Sequence, residues 1–235
     1  RRVSQQIAKL WELVEGHART VGMDEMPAMD IYVYGTQDQA RAATGRSEFA
    51  THYGYALGSK AYLAMDNSLT GLAAHETLHI LQNSLAGVEA QNRNYCLNEG
   101  ASEWYATAVE LRAGTMSGKM KQRAASLRGE YGSAVRGDIA ADDITPNDVV
   151  SYEGFFRVAE SDPSGLYDLC TVAFWLLMET GGGEPAYWQY LADSKAHGWK
   201  SAFERNFGYS WEDFIARFER FRDSGYVEMF TEEEK

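Results

Sequence analysis

The sequence has little basic charge and no long apolar run. Its 22 lysines and arginines are outnumbered by 34 aspartates and glutamates, which gives a formal net charge of −12. Nucleic acids are bound by basic surfaces, so this composition argues against a nucleic-acid partner. The longest apolar stretch, residues 171–178, falls far short of the roughly 18 residues that a membrane helix needs. We therefore expect neither a nucleic-acid partner nor a membrane span.

Cysteine is scarce as well, since Cys96 and Cys170 are the only two. In an oxidising compartment they would form one disulfide, and in the cytosol they would remain two buried thiols. The sequence leaves both possibilities open. It also leaves the location of the protein open, with an extracytoplasmic location (secreted or periplasmic) slightly favoured.

What the chain does have is a core-forming composition and clear local patterns. It contains 235 residues, of which 45% are hydrophobic, enough for one domain with a real core. Apolar residues at spacings of three and four predict an amphipathic helix over residues 3–21 and another that starts at Ser210. Residues 29–34 read as a strand, and residues 53–58 and 61–65 as a hairpin.

The most informative stretch is His75-Glu76-x-x-His79, which lies inside an apolar, helix-patterned run. We expect this helix to be capped by Ser68 and to end at about Ala86, before Gly87. Residues four apart lie on the same face of a helix, so both imidazoles can reach one metal ion. Glu76 then lies beside the metal, where a carboxylate can act as a base.

A zinc site with three protein ligands needs one more donor. A three-histidine version of the motif would require Gly at position 82 and His at position 85, but the chain has Gln82 and Leu85. Glu99 is the best donor, because it lies 20 positions after His79 near the start of a helix that Asn98 can cap and that reaches Ala113. The alternative is that Glu99 only favours the helix N-terminus. We expect the other three histidines to be surface or packing residues: His17, His52 and His197.

These segments together resemble a known family. His75-Glu76-x-x-His79 and Asn98-Glu99-x-x-Ser102-Glu103, with 19 residues between His79 and Glu99, resemble the gluzincin metallopeptidases, with thermolysin-like spacing. The motif-bearing part covers about residues 54–110. Tyr167 at the start of an apolar helix and the ending over residues 202–214 look like the compact peptidase MA-like branch.

The resemblance implies a role for each matching residue. His75, His79 and Glu99 would bind one zinc ion, and Glu76 would be the general base toward the metal-activated water. Glu103 would support His75 by accepting a hydrogen bond from its outer ring nitrogen.

Asn98 would support His79 in the same way, or would be only a helix cap. Tyr167 would stabilise the oxyanion, with Tyr152 and Tyr131 as alternatives. If Glu99 and Tyr167 have these roles, a Cys96–Cys170 disulfide could tie the two catalytic segments together.

The resemblance also implies a fold and a reaction. We expect one α+β, zincin-like domain over residues 1–235, with a small N-terminal lobe (about 1–86) that holds a short mixed sheet and the active-site helix, and a mostly helical C-terminal lobe (about 87–235). Aminopeptidase relatives carry an acidic residue on the strand before the metal helix, and residues 53–58 contain none. This difference favours an endopeptidase.

The expected substrate is a peptide or protein bound along an edge strand formed by residues 54–65, at Tyr55 and Ala56. Two other functions stay open: a binding or scaffold protein with a non-catalytic metal site, and a zinc hydrolase of a non-peptide amide or ester.

Overall fold

A computed structural model describes residues 2–46, 53–64, 71–114, 144–160 and 163–224. The described part of the chain is mostly helical with one small mixed sheet, in agreement with the α+β prediction. None of the described helices is long and apolar enough to cross a membrane. The chain divides into two compact units, one with residues 1–88 and 105–118, the other with residues 89–104 and 119–235.

The first unit is built on a three-stranded sheet with helices packed on it. Its elements are α1 (Arg2–Thr20), β1 (Asp30–Tyr34), α2 (Gln37–Thr44), β2 (Gly54–Leu57), β3 (Lys60–Ala64) and α3 (Leu72–Ala86). Helix α1 buries Leu10, Val14 and Ala18, the stripe that its apolar spacing predicts. The predictions of α1, β1 and the β2–β3 hairpin are therefore confirmed.

The strand order is β1–β3–β2. Strand β3 pairs in parallel with β1 and antiparallel with β2. Ala61 and Leu63 point to one face of β3 and are fully buried, while Ala64 points to the other and packs with Ala40 of α2. The predicted edge strand of residues 54–65 is therefore wrong in part, because β3 is the central strand and only β2 lies at the edge.

The second unit is helical and rich in aromatic residues. Its elements are a 3-10 turn (Ala90–Asn92), the first half of α4 (Tyr95–Ala113), α5 (Tyr152–Ala159), α6 (Pro163–Thr180), α7 (Gly183–His197), α8 (Trp199–Phe207) and α9 (Trp211–Asp223). Rings from three helices meet in its core, where Phe203 of α8 lies 6.3 Å from Tyr190 and 5.2 Å from Trp211. Such edge-to-face contacts add to the hydrophobic gain of burying large rings.

Helices α4 and α6 are held together covalently. Cys96 and Cys170 form a disulfide with their Cα atoms 4.9 Å apart, so the open question about these cysteines is resolved in favour of a bond. One turn further along α4, a β-carbon at Gly100 would overlap the Cys170 carbonyl oxygen and lie 3.0 Å from Phe174 Cβ. The glycine permits the close approach of the two helices that the disulfide requires.

Candidate metal centre

The motif helix α3 is buried on nearly all sides. Ala74, Leu78 and Leu81 are fully buried, as the apolar pattern of the sequence predicts. The same helix also buries several polar side chains: His75, Glu76, Thr77 and Gln82. Burying polar groups costs free energy unless each has a partner or a use. Helix α3 is therefore the part of the molecule where a functional site is expected.

The start of α3 differs from the prediction. Gly71 occupies the N-cap position with a φ of 82°, and no side chain of the cap residue bonds to the helix. The Ala73 N–H instead donates to Oε1 of Gln6, which is buried on α1, with an N–O distance of 3.2 Å. Ser68, the predicted cap, lies outside the described residues. A residue 67 positions away thus satisfies one of the amide groups that a helix N-terminus leaves unpaired.

His75 and His79 point their ring nitrogens toward each other. Their Nε2 atoms are 3.1 Å apart, and the rings are nearly perpendicular, at 76°. Two nitrogens bound to one tetrahedral zinc at about 2.0–2.1 Å would stand about 3.4 Å apart. The pair is thus close to the spacing that a shared ion requires.

The outer nitrogen of His79 also has a partner. His79 Nδ1 lies 2.8 Å from Oε1 of Gln82, which is one helical turn further along α3 and only 2% exposed. An amide oxygen can only accept, so this bond places the ring hydrogen on Nδ1. Position 82 entered the sequence prediction only because it lacks the glycine of a three-histidine motif, so its contact with His79 was not predicted. The signal that could have found it is the spacing of three from His79, which places both side chains on one helix face.

Glu99 joins the two histidines. One ligand atom from each of His75, His79 and Glu99 lies within 4.8 Å of the others, the geometry of a possible metal site. His75 is buried, and His79 and Glu99 are partly exposed, so the group combines a protected ligand with accessible ones. Two imidazoles and one carboxylate form a donor set that suits zinc and leaves a coordination position for water. The predicted ligand set fits a metal ion.

The helix that carries Glu99 starts earlier than predicted. Helix α4 begins at Tyr95, and Asn94 caps it, because the Leu97 N–H donates to Asn94 Oδ1 at 3.1 Å. The prediction that Asn98 caps this helix is therefore wrong, since Asn98 lies within the first turn. Glu99 lies within α4 rather than at its end, which weakens the alternative that its carboxylate serves only the helix terminus.

Glu76 is buried on α3, with 5% of its surface exposed. Its carboxylate lies directly against Gly54 at the start of β2. A β-carbon built at Gly54 would overlap Glu76 Oε1 and lie 2.7 Å from both Glu76 Cδ and Leu72 Cδ1. Only glycine fits here without moving the carboxylate. No feature of the sequence around Gly54 signals this contact, because it depends on how β2 packs on α3.

The edge strand β2 contains both predicted substrate-binding residues, Tyr55 and Ala56. The antiparallel pairing of β2 with β3 directs their main chains to opposite sides of the strand. The Tyr53 carbonyl accepts from the Ala64 N–H, and Tyr55 lies opposite Tyr62 in the same antiparallel pair. Because alternate residues bond to the partner strand, the main chain of Tyr55 bonds to β3, while the main chains of Gly54 and Ala56 point to the edge. The Tyr55 ring lies under the Arg46 guanidinium at 4.3 Å. Ala56 is therefore the better placed of the two to bind a substrate main chain.

The remaining predicted residues have defined positions, and their roles stay predictions. Glu103 lies in α4 one turn after Glu99, and Asn98 directly precedes Glu99. Tyr167 lies in α6, where its ring packs edge-to-face on Phe155 at 5.6 Å.

Of the two reserve tyrosines, Tyr152 starts α5 and is 43% exposed, and Tyr131 lies outside the described residues. Among the other histidines, His17 lies in α1 and His197 ends α7, while His52 is also outside the described residues.

No protein-family model, curated protein or solved structure matches this chain. The functional assignment therefore depends on the motif and on the geometry of the site.

Proposed function

We propose that this protein is a zinc-dependent metallopeptidase of the zincin-like fold that cleaves within peptide chains. The observation that carries the proposal is the convergence of His75, His79 and Glu99, with ligand atoms within 4.8 Å of one another. The buried Glu76 follows His75 directly on the same helix. A purely structural metal site has no use for such a carboxylate, whereas hydrolysis needs a base.

The chain's own residues would supply the rest of the chemistry. Bound zinc would lower the pKa of a coordinated water toward ~7 and polarise a carbonyl group. Glu76 would accept the water proton on a carboxylate oxygen and return it to the leaving amine. Its burial excludes competing water and strengthens its electrostatic effect.

The substrate main chain would extend β2 by pairing with its outer edge. Gly54 and Ala56 would supply the hydrogen bonds, and the contact between Gly54 and Glu76 would bring the paired segment close to the base. Binding through the main chain tolerates many substrate side chains. Extension of a strand at the middle of a peptide is also consistent with cleavage within a chain.

Three further residues belong to the proposal through the family resemblance. Glu103 would support His75, and Asn98, which is not the helix cap, would support His79. Tyr167 would donate to the oxyanion, with Tyr152 as the alternative among the described residues.

The test combines metal analysis with cleavage profiling. We expect the purified protein to bind one zinc ion per chain and to cleave a library of peptides with blocked ends. Glu76→Gln should keep the zinc, and its kcat should fall about 10²–10⁴-fold. Glu12→Gln, which makes the same change at an exposed position of α1, should match the parent.

Each rival function predicts a different result. Zinc binding without cleavage of peptides, amides or esters would favour a scaffold protein with a non-catalytic metal site. If simple amides or esters are cleaved while peptides stay intact, a non-peptide hydrolase is favoured. Full zinc affinity in Glu99→Ala would overturn the assignment of the third ligand.

A further inference from the structure

The hydrogen bond between His79 and Gln82 has a chemical consequence for the metal centre. A neutral imidazole carries its hydrogen on either Nδ1 or Nε2, and only the nitrogen without it can bind a metal. His79 Nε2 is the atom that faces His75, 3.1 Å from the other Nε2. The hydrogen must therefore be on Nδ1 for His79 to act as a ligand through this atom.

Gln82 provides what that tautomer needs. Its Oε1 lies 2.8 Å from His79 Nδ1, and the side chain is 2% exposed. A buried acceptor at this distance stabilises the ring hydrogen on Nδ1 and fixes the rotation of the ring. Both residues lie on one helix, so the arrangement does not require metal to form.

We propose that Gln82 is the positioning residue for His79. Gln82 holds the His79 ring in its metal-binding tautomer and orientation before the metal arrives. The inference rests on the proposed metal centre and adds to it a residue that the family resemblance does not supply. Because the Gln82 amide is neutral, it orients the ring without adding negative charge near the metal. A carboxylate in the same place would make the imidazole a stronger donor.

Two variants separate these effects. Gln82→Met has nearly the same shape and removes the acceptor, so zinc affinity should fall about 10–100-fold. Gln82→Glu keeps an acceptor and adds charge, so its affinity should equal or exceed that of the parent. Gln91→Met, at an exposed position of the 3-10 turn, is the matched control and should leave affinity unchanged.

The measurements are zinc affinity by competition with a chromophoric chelator, and the ¹⁵N NMR spectrum of the histidine rings in metal-free protein. In the parent, His79 should show a protonated Nδ1 and an unprotonated Nε2. In Gln82→Met these signals should move toward a mixture of both tautomers. Circular dichroism of each variant confirms that the helices are intact.

The outcomes distinguish this inference from the proposed function. If the parent binds zinc and Gln82→Met has the same affinity and the same ring signals, Gln82 is not a positioning residue, and the metal centre stands. If the parent binds no zinc, the proposed function fails. The ring signals of the metal-free protein still test the His79–Gln82 bond in that case. If Gln82→Met does not fold, the affinity of Gln82→Glu decides, and a loss there would overturn the inference.

Discussion

Helices α3 and α9 obtain their stability in opposite ways. Helix α9 is capped by its own sequence, because Ser210 and Asp213 form a reciprocal capping box. Its buried residues follow a simple apolar stripe of Trp211, Phe214, Phe218 and Phe221. Helix α3 has a glycine at its N-cap and receives its cap from Gln6 on α1. It also buries His75, Glu76 and Gln82.

The two helices show how a helix that only packs differs from one that carries a candidate site. A helix that only packs needs an apolar stripe and local caps, and α9 has both. Helix α3 carries more buried polarity than packing requires, and its support comes from distant parts of the chain. This combination is what we expect of a helix that holds the proposed metal centre.

The largest expected effect concerns the distant support of α4, the helix that carries Glu99. The Cys96–Cys170 disulfide closes a loop with a sequence separation of 74 residues. Loss of a crosslink over a loop of that size costs about 4 kcal/mol, because the unfolded chain becomes less constrained. We expect the double Cys96→Ser, Cys170→Ser variant to lose about this much stability in urea unfolding. A loss below about 1 kcal/mol would show that local contacts suffice for α4.

The next effect concerns the contact between β2 and α3. Gly54→Ala adds a β-carbon where the Glu76 carboxylate lies, so the carboxylate must shift. A misplacement of about 1 Å near reacting groups can cost about 100-fold in rate, which corresponds to about 2.7 kcal/mol. We expect kcat to fall by about this factor while zinc content is unchanged.

Gly16→Ala is the control for Gly54→Ala. It introduces the same methyl group on α1 with no atom within 4 Å. An unchanged kcat in Gly54→Ala would mean that Glu76 works equally well from a displaced position, and the contact would have no catalytic importance.

A smaller effect is expected from the cap of α3. Gln6→Ala leaves the Ala73 N–H without its acceptor in a buried place, which costs about 1–3 kcal/mol. Thermal or urea unfolding measures the loss. Gln5→Ala, at the adjacent exposed position, should change stability little. Equal stability in both variants would mean that α3 does not depend on its distant cap.

The smallest effect concerns the local cap of α9. Ser210→Ala should cost about 1 kcal/mol at pH 7, since the Ser210 hydroxyl accepts from the Asp213 N–H. Ser201→Ala, at an exposed position of α8, is the control.

Hydrogen bonds from Ser210 lower the pKa of Asp213 below its ordinary value. A lowered pKa in the folded state stabilises the protein above the ordinary pKa, and this contribution disappears as the pH falls through the folded value. We therefore expect the difference in the free energy of unfolding between parent and Ser210→Ala to shrink as the pH is lowered toward 2. If this stability difference does not change with pH, the Asp213 carboxylate does not contribute to the cap.

The sequence predicts the local features of the fold and of the candidate site, but not the contacts between distant segments. The start of α9 at Ser210 and the stripe of α1 are local patterns, and both were predicted, although the capping role of Ser210 was not. The proposed ligands His75 and His79 share one helix face, and their motif is specific enough to be recognised. Glu99 was predicted from its spacing and from family likeness.

The rest depends on contacts between distant segments. The cap of α3 by Gln6 and the fit of Glu76 against Gly54 exist only after the first unit has folded, so no local pattern encodes them. The start of α4 was missed because Asn94 and Asn98 are both good capping residues, and the sequence does not decide between them. The pairing of Cys96 with Cys170 was open because it depends on the redox environment as well as on geometry.

The disulfide would have a practical consequence for the proposed peptidase. Cys96 and Cys170 enclose the chain segment that contains both Glu99 and Tyr167. If any bond within residues 97–169 is cut, the two pieces stay covalently joined. Such a nicked molecule would migrate as one band on a gel without reductant and as two bands with it. The crosslink therefore keeps a damaged chain in one piece, and only a reducing gel would reveal the damage.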